Sequence, residues 1–435
     1  MAIGVDEQAR HPIGEAMSGG DRDAREPAGG LPRLMFKLRS EGPGWIAKRL
    51  AAEAVHPTTR PGQMIHRLVR RSISAASALP RRIRRSRVAE WPGATETLFA
   101  FYDFKVGPIT FDCMWFLAGA DLERRRRGLD KVHVVIVPGP HEGVRRERDD
   151  YEAVVDPANR SERVQSILIP ACALLPRCSG LTQASSREEA GFLRAIAARH
   201  VFPSDYEPAL PVYPSSRPCL DAARQGEGPI GTLRATPERL RNVDRWLAQR
   251  EIGDRRLITI TLRGYSYMPA RNSNIEAWAA FARSLDRGRY LAVFIPDTDE
   301  TIDGVPAALD GFTLMPEAAW SVGLRMALYQ RAFLNLGVNT GPMGLCWLND
   351  TTRYATLKMA TAGVPQTTLD YFRVLGFEPG RSLPFATPFQ QLVWEDDTQE
   401  TIERVFARLV SDIERHEAGT YIAPTQGATS LQSLT

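Results

Sequence analysis

Two hydrophobic patterns alternate along this sequence, one typical of strands and one typical of helices. Short, largely apolar runs, such as Val132–Val137 and Leu257–Leu262, predict buried β-strands. Between such runs lie stretches in which apolar residues recur every three to four positions, as in 237–250, and these predict amphipathic helices. Strands that alternate with helices are typical of parallel sheets covered by helices on both faces. The expected fold class is therefore α/β.

The alternation occurs twice and predicts two Rossmann-like domains facing each other across a cleft. The first is expected over residues 93–205 and the second over residues 236–417, with the Pro-, Ser- and Gly-rich stretch 206–235 as a linker. The expected strands are 98–102, 132–137, 181–184, 257–262, 291–295, 332–338 and 354–357, and the expected helices are 111–127, 164–177, 186–200, 237–250, 274–285, 318–330 and 398–415.

The two ends of the chain have a different composition. Residues 1–30 and 418–435 are small and polar, which predicts disordered tails. Residues 31–92 predict a basic segment of short amphipathic helices, because apolar residues at helical spacing are interleaved with arginines. Residues 31–89 hold 14 Lys or Arg residues and only two acidic ones, although the whole chain carries +4. This segment could bind an anionic membrane surface or form solvated helices on the body, and nucleic acid is not expected as a partner.

The composition and the missing motifs argue against several classes of protein. No apolar run is long enough to span a bilayer, and no basic residues precede an apolar leader at the N-terminus, so no secretory signal is expected. The five cysteines are scattered without a CxxC pair, which favours a cytoplasmic protein without disulfides or structural zinc. The signatures GxGxxG, GxxxxGK[ST], GxSxG and HExxH are absent. No cofactor and no metal are expected.

The strongest candidate site is the turn Asn339-Thr340-Gly341-Pro342, which follows the apolar strand 332–338. Gly341 would allow a close backbone approach or a positive φ, and Pro342 suits the first turn of a helix. The free N–H groups of such a turn, with the Thr340 hydroxyl and the neighbouring Met343, would suit a diphosphate. The alternative is a strand-to-helix turn that binds nothing.

Further candidates follow other strands of the second domain. Arg263, Arg271 and Asn272 lie in the loop after the strand 257–262, and arginine forks match phosphate oxygens. Each arginine could instead pair with a structural carboxylate. Asp297, after the next strand, could bind a ribose or cap the following turn.

Two residues of the first domain are candidates for proton transfer. Asp103 follows the first strand and could act as a general base towards a hydroxyl, or cap a turn. His141 lies in the loop after the second strand, where it could serve as an acid or base, or be an ordinary loop residue.

The second domain resembles a known family over roughly residues 255–360. In order and spacing, it is similar to the C-terminal domain of the heptosyltransferase-like glycosyltransferases of the GT-B fold, as the following residues indicate: Leu262-Arg263, Trp278, Phe294-Ile295-Pro296-Asp297 and Val338-Asn339-Thr340-Gly341-Pro342-Met343. There an Asp-Ser/Thr-Gly-Pro-x-His turn holds the sugar-nucleotide diphosphate, whereas this chain has Asn339 and Gly344 at the two ends of the motif. The resemblance implies a GT-B-like fold, a nucleotide-sugar at this turn, and a base where Asp103 lies.

The expected function is therefore a metal-independent, inverting glycosyltransferase. It would move a sugar from a nucleotide-diphosphate donor to a glycan or lipid-linked acceptor in cell-envelope or surface polysaccharide synthesis. A nucleotide-sugar epimerase or hydrolase of the same fold, and a non-catalytic nucleotide-sugar-binding protein, are the alternatives. The expected location is the cytoplasm, at the inner face of the membrane if the basic segment binds lipid.

Overall fold

The computed structural model describes residues 93–197 and 200–421, together with Gly62, Met64, Ile65, Leu68, Val69 and Ser72. The predictions for residues 1–30, for most of the basic segment and for the tail beyond Tyr421 lie outside the described residues. The six described N-terminal positions are helical, and Met64 and Leu68 are 64% and 57% exposed.

Ten strands and fourteen α-helices form the described part of the chain. The strands are β1 Thr97–Asp103, β2 Lys131–Val137, β3 Cys178–Gln183, β4 Val201–Phe202, β5 Arg256–Thr261, β6 Tyr290–Ile295, β7 Thr313–Leu314, β8 Leu334–Val338, β9 Tyr354–Leu357 and β10 Gln390–Leu392. The helices are α1 Cys113–Arg126, α2 Asp149–Glu152, α3 Pro157–Arg163, α4 Ile169–Cys172, α5 Arg187–Ala197, α6 Arg217–Arg224, α7 Pro237–Ala248, α8 Ile275–Ser284, α9 Thr298–Asp303, α10 Glu317–Trp320, α11 Val322–Arg331, α12 Gly344–Trp347, α13 Leu369–Leu375 and α14 Gln399–Glu417.

The first lobe is built on a parallel sheet with the strand order β3-β2-β1-β4. Successive side chains of β1 alternate between two hydrophobic cores, because strand side chains point to opposite faces. Leu98 and Ala100 pack into one core, and Phe99 and Phe101 pack into the other. Both faces of the sheet are therefore buried, as the unbroken apolar runs predict.

The second lobe is built on a six-stranded parallel sheet with the order β10-β9-β8-β5-β6-β7. The chain begins in the middle at β5, proceeds through β6 to β7, and then crosses to β8 on the other side. The strand order therefore reverses between β5 and β8. Loops that follow the strands on either side of such a reversal form the crevice in which parallel α/β sheets bind ligands.

Residues 206–235, expected as a linker, are a packed connector. They contain α6, and Cys219 and Leu233 are fully buried in a hydrophobic cluster that extends through both lobes. Arg125, at the end of α1, donates two hydrogen bonds to backbone carbonyls of this connector. The basic end of α1 therefore ties the first lobe to the connector.

The carboxyl ends of the two sheets face each other. Phe111, after β1, packs against Gly341, after β8, so closely that a Cβ atom on Gly341 would lie 2.9 Å from Phe111 Cδ2. Tyr151, after β2, and Tyr267, after β5, have ring centroids 5.1 Å apart. Loops of both lobes therefore enclose a cleft over the point where the strand order of the second sheet reverses.

The elements agree with the expected positions wherever an apolar run was long. The expected helix 318–330 is divided into α10 and α11, because Ser321 adopts an extended backbone (φ −121°, ψ 102°) and caps α11. The expected helix 164–177 ends at Cys172 and begins with a π-helical turn, Val164–Leu168.

Candidate functional site

Asp112 lies at the start of α1, next to Phe111, the residue that packs against Gly341. Its carboxylate makes no helix-capping hydrogen bond and instead accepts one from Thr110 Oγ1, at 2.9 Å. The residue is exposed, yet nearby protein atoms displace part of its hydration, and this desolvation raises the pKa of the Asp112 carboxyl. The Thr110 hydrogen bond and the positive charges of Arg145 and Arg271 act in the opposite direction. A cleft carboxylate with a raised pKa is suited to accepting a proton from a hydroxyl group.

An arginine from each lobe lies near enough to Asp112 for its charge to act on the carboxylate. Arg145 belongs to the first lobe and forms an ion pair with Glu147, at 2.5 Å. Arg271 belongs to the second lobe and donates from Nη2 to the Asn339 carbonyl, at 3.1 Å. The Nε atom of Arg271 is buried and has no hydrogen-bond partner among the described residues. An unsatisfied N–H group of a cation in a cleft is suited to binding an anion.

Burial lowers the pKa of Arg271, and the negative charge of Asp112 partly offsets this shift. Since the ordinary pKa of a guanidinium is far above neutrality, Arg271 is cationic at neutral pH. The cleft therefore presents a carboxylate from one lobe and a positive charge from the other.

The predicted turn follows β8 as expected, but the helix after it is short. Gly341–Met343 form a single 3-10 turn and α12 adds only four residues. A dipole summed over so few peptides is small, so the expected helix-dipole attraction for a phosphate is weak here. The close approach inferred for Gly341 is present, but its neighbour is Phe111.

The residues of the turn have different surroundings. Asn339 donates from Nδ2 to the Met359 carbonyl at 2.8 Å, which joins the turn to the segment after β9. Thr340 is 9% exposed and its hydroxyl caps no helical N–H group. Met343 is fully buried. Of these side chains, the Thr340 hydroxyl is the one placed to meet a ligand, and Met343 can offer only its backbone.

Arg263 and Asn272 hold together the loop after β5. Arg263 donates from Nη1 to the Met268 carbonyl at 3.1 Å and to Asn272 Oδ1, and from Nη2 to the Tyr267 carbonyl. Asn272 also exchanges hydrogen bonds with the backbone of Tyr265, at 3.2 and 3.1 Å. Burial lowers the pKa of Arg263 to about 10. Both side chains therefore shape the loop, and Arg271 is the arginine that reaches the cleft.

Asp297 and His141 have local structural contacts. Asp297 is the N-cap of α9, where it forms a capping box with Glu300, and it also accepts a hydrogen bond from Gly264 N at 3.2 Å. His141 lies in a tight turn and forms backbone hydrogen bonds with Val144, at 2.9 Å. The structure gives Asp297 the capping role that was the alternative to ribose binding.

Asp103, the base expected from the sequence, lies inside the first lobe. Its side chain is 1% exposed and forms a two-pronged ion pair with Arg187, at 2.8 and 2.9 Å. It also accepts hydrogen bonds from Tyr206 OH and Lys105 N, both at 2.8 Å. Both carboxylate oxygens are occupied, so Asp103 has no oxygen open to an acceptor hydroxyl in this arrangement.

Two tyrosines near Asp112 were not expected from the sequence. Tyr213 comes from the connector and Tyr371 from α13, so neither follows a strand of its lobe. Burial raises the pKa of Tyr371 to about 12, and the negative charge of Asp112 adds to this shift. Burial and the charge of Asp112 also raise the pKa of Tyr213. Both phenols therefore remain protonated beside Asp112 at neutral pH.

Trp320 is a further candidate at the carboxyl edge of the second sheet. It ends α10, which follows β7, and is 45% exposed. Its Nε1 atom donates to Thr301 Oγ1 of α9, at 2.8 Å. Since β8, β5, β6 and β7 are successive neighbours, three strand spacings, or about 14 Å, separate the ends of β8 and β7. An exposed aromatic ring is suited to stacking on a nucleobase.

Among the described residues, no group of three or more His, Cys, Asp or Glu side chains is placed to hold a metal ion. All five cysteines are free thiols. Within the described ranges, no helix is both long and apolar enough to cross a membrane.

Comparisons with known proteins give structural neighbours only. No protein family matches the sequence, and no curated protein matches it. The chain is similar to a family 9 glycosyl transferase from Veillonella parvula, with 12% identity, coverage of 76% of this chain and 90% of that one, and a TM-score of 0.42. It is also similar to the ADP-heptose lipopolysaccharide heptosyltransferase II of E. coli, with 10% identity, coverage of 73% and 99%, and a TM-score of 0.42.

The chain is also similar to a Listeria monocytogenes protein that is provisionally assigned as a UDP-N-acetylglucosamine 2-epimerase, with 13% identity. The similarity covers 78% of this chain and 94% of that one, with a TM-score of 0.33. The heptosyltransferase belongs to the group that the Asn339–Met343 motif resembles. Similarity at this level says nothing about the chemistry of the protein, so the functional argument rests on the residues of the cleft.

Proposed function

We propose that this protein is a metal-independent, inverting glycosyltransferase that uses a nucleotide-diphosphate sugar as donor. The observation that carries the proposal is that Asp112 of one lobe and Arg271 of the other are near enough for their charges to interact, next to the contact between Phe111 and Gly341. A carboxylate with a raised pKa is supplied by one lobe, and a cation with an unsatisfied N–H group is supplied by the other. Glycosyl transfer needs both, because a hydroxyl loses a proton while a diphosphate gains negative charge.

In the proposed reaction, Asp112 accepts the proton of an acceptor hydroxyl. The hydroxyl oxygen forms a bond to the anomeric carbon of the donor, and the bond between that carbon and the diphosphate oxygen breaks. The electron pair of the broken bond goes to the diphosphate, whose charge Arg271 stabilises. Inversion requires the base and the leaving group to lie on opposite sides of the anomeric carbon, so Asp112 and Arg271 would flank the bound sugar.

The proposal assigns the base to Asp112 instead of Asp103. The ion pair with Arg187 and the hydrogen bond from Tyr206 give Asp103 a supporting role beneath the loop that leads to α1. Asp112 follows that loop and is open to solvent. His141 stays a candidate for contact with the acceptor, because its backbone lies in the turn after β2.

The donor is proposed to lie along the carboxyl edge of the second sheet. Its diphosphate would contact Arg271, the Thr340 hydroxyl and the backbone of the turn Gly341–Met343. The nucleobase of the donor would stack on Trp320. Asn339, Arg263 and Asn272 would act indirectly by holding the turn and the loop in place, and Asp297 would do so by capping α9.

The acceptor is proposed to be a glycan or lipid-linked glycan of cell-envelope or surface polysaccharide synthesis. The support comes from the basic segment 31–89, with its 14 Lys or Arg residues, and from the exposed Met64 and Leu68 within it. Positive charge combined with exposed apolar side chains suits an anionic membrane surface, at which such acceptors are held.

A thermal-shift panel of nucleoside diphosphates and nucleotide-sugars tests the proposal. A ligand present at 100 times its Kd stabilises the folded state by about 2.7 kcal/mol, so its effect on Tm is readily measured. We expect at least one compound to raise the Tm of the wild type and to lose most of that effect in Arg271→Gln. If no compound shifts the wild type, the proposed donor site is wrong.

A further inference from the structure

The loop that carries Arg271 makes a second set of contacts with the first lobe. Arg163, the last residue of α3, donates from Nη2 to Tyr265 OH at 2.8 Å. Its guanidinium carbon also lies 5.6 Å from the centre of the Tyr265 ring. Tyr151 of α2 meets Tyr267 edge to face, with the ring planes at 82° and the centroids 5.1 Å apart. We call these four residues the clasp.

We infer that Tyr151 and Arg163 of the first lobe are positioning residues for Arg271, acting through the clasp. This inference rests on the proposed function, because it assigns the clasp to the same transfer reaction. None of the four clasp residues is needed to touch the diphosphate or the acceptor. Their task is to fix the loop so that Arg271 faces Asp112.

The interior of the loop can transmit such an effect. Arg263 donates hydrogen bonds to the carbonyls of Tyr267 and Met268, and Arg271 N donates to the Met268 carbonyl at 3.1 Å. Met268 has a left-handed backbone, with φ of 56°, which makes a sharp bend between the clasp tyrosines and Arg271. The clasp and Arg271 are therefore two ends of one tightly bonded turn.

The two sides of the clasp are themselves connected. Arg163 Nη1 lies 3.4 Å from Tyr151 OH, so one guanidinium contacts both the first-lobe and the second-lobe tyrosines. All four side chains are half-buried, which places the clasp at an edge of the cleft instead of in a core. Contacts at a partly open edge can form and break as the lobes move, without unfolding either lobe.

The clasp links Arg271, an arginine of the lobe proposed to bind the donor, to the first lobe, which is proposed to bind the acceptor. A nucleotide can meet Arg271 and the turn after β8 within the second lobe alone. Correct placement of Arg271 against Asp112 requires the first lobe as well, through Arg163 and Tyr151. Loss of the clasp should therefore lower the rate of transfer more than it lowers affinity for the nucleotide.

Tyr265→Phe tests the inference, because it removes the hydroxyl that Arg163 binds and keeps the ring. Arg163→Gln removes the cation from the other side. The expected result for each variant is a drop in kcat of roughly tenfold, the effect of one hydrogen bond to a charged group, with the Kd for a nucleoside diphosphate within about twofold of wild type. The double variant should be no slower than the slower single variant. Arg331→Gln, which breaks an exposed ion pair with Asp244 on the outside of the second lobe, is the matched control.

The outcomes separate the clasp from the proposed function. If the wild type transfers sugar and both variants match it, or if their effects on kcat simply multiply in the double variant, the clasp does not position Arg271. If the Kd rises in step with the fall in kcat, the clasp belongs to the nucleotide site and the inference is wrong. If the wild type neither binds a nucleotide nor transfers sugar, the proposed function fails, and the clasp inference fails with it. Equal Tm values for the variants and Arg331→Gln establish that the differences are not caused by unfolding.

Discussion

Asp103 and Asp112 lie close together in the chain but in different environments. Asp103 is enclosed by Arg187, Tyr206 and a backbone N–H group, and its side chain is 1% exposed. The Asp112 carboxylate accepts one hydrogen bond from the described residues, that of Thr110, and the residue is exposed. The first carboxylate is suited to holding structure and the second to accepting a proton. Replacing each in turn distinguishes these tasks.

Asp103→Asn should destabilise the fold. The change leaves Arg187 facing a neutral amide in place of its buried partner, which costs about 3 kcal/mol, the lower end of the range for broken buried pairs, since Arg187 is partly exposed. Chemical denaturation measures this loss. Activity per folded molecule should stay within a few-fold of wild type. A large loss of kcat in a fully folded variant would instead identify Asp103 as the catalytic base.

The pH dependence of transfer should report Asp112. A base must be deprotonated, so kcat/KM should fall as the pH decreases through the pKa of the free enzyme's essential carboxyl. Because burial raises the pKa of Asp112, the midpoint of this acidic limb should lie above the ordinary aspartate value. Arg271→Gln removes a positive charge near Asp112 and should raise this midpoint further. A midpoint below the ordinary value, or one unchanged in that variant, would contradict the assignment.

At the scale of elements, the strands with long apolar runs were predictable and the rest were not. β1, β2, β5, β6, β8 and β9 fall within a few residues of the expected positions, because burial on both sheet faces favours largely apolar sequence. β4, β7 and β10 contain two or three residues each, which is too short for any period to show. Short helices such as α9 and α13 were missed for the same reason.

The candidate site was predictable where it depends on strand ends and not where it depends on the approach of two lobes. The turn at Asn339 and the loop of Arg271 both follow predicted strands, and both border the cleft. Asp112 falls within the first turn of the helix expected over 111–127 and was not singled out. Its proximity to Arg271 depends on the packing of Phe111 against Gly341, and no local pattern reports such a contact.

Gly341→Ala should disturb the contact between the lobes. The new Cβ atom would lie 2.9 Å from Phe111 Cδ2 and 3.1 Å from Phe111 Cβ, so either the ring or the turn has to shift. We expect a destabilisation of about 1–2 kcal/mol, the usual cost of a modest overpacking, measured by denaturation. Gly344→Ala is the control, because a Cβ there meets nothing within 4 Å. In a Phe111→Ala background, Gly341→Ala should cost less, because the contact with Cδ2 is removed while that with Cβ, at 3.1 Å, remains. Equal losses for Gly341→Ala and Gly344→Ala would argue against a tight contact.

At the scale of the whole molecule, the two lobes are packed together and are not freely hinged. One hydrophobic cluster extends through both, and the connector is buried within it. The cleft is bordered on one side by Phe111 and Gly341 and on another by the clasp. Any motion that admits a donor must therefore open these edge contacts while the shared core stays intact.

The basic segment should bring the whole molecule to anionic lipid. We expect the protein to sediment with vesicles that contain phosphatidylglycerol and not with vesicles of phosphatidylcholine alone, and to be released by salt. Met64→Asp combined with Leu68→Asp places charge on two exposed apolar positions and should weaken binding at least tenfold. If binding is unaffected, those side chains do not enter the membrane. If the protein binds DNA or RNA in preference to vesicles, the partner of the segment has been misidentified.

The most direct test of the central claim is the release of nucleoside diphosphate from the nucleotide-sugar that stabilises the protein. The wild type and Asp112→Asn are compared with and without a total cell-envelope glycan extract as acceptor. We predict release by the wild type only with extract, and a loss of roughly a hundredfold or more in Asp112→Asn, which should still bind the nucleotide. Release without extract would favour a hydrolase, and equal release by Asp112→Asn would contradict the proposal that the cleft between Asp112 and Arg271 transfers a sugar.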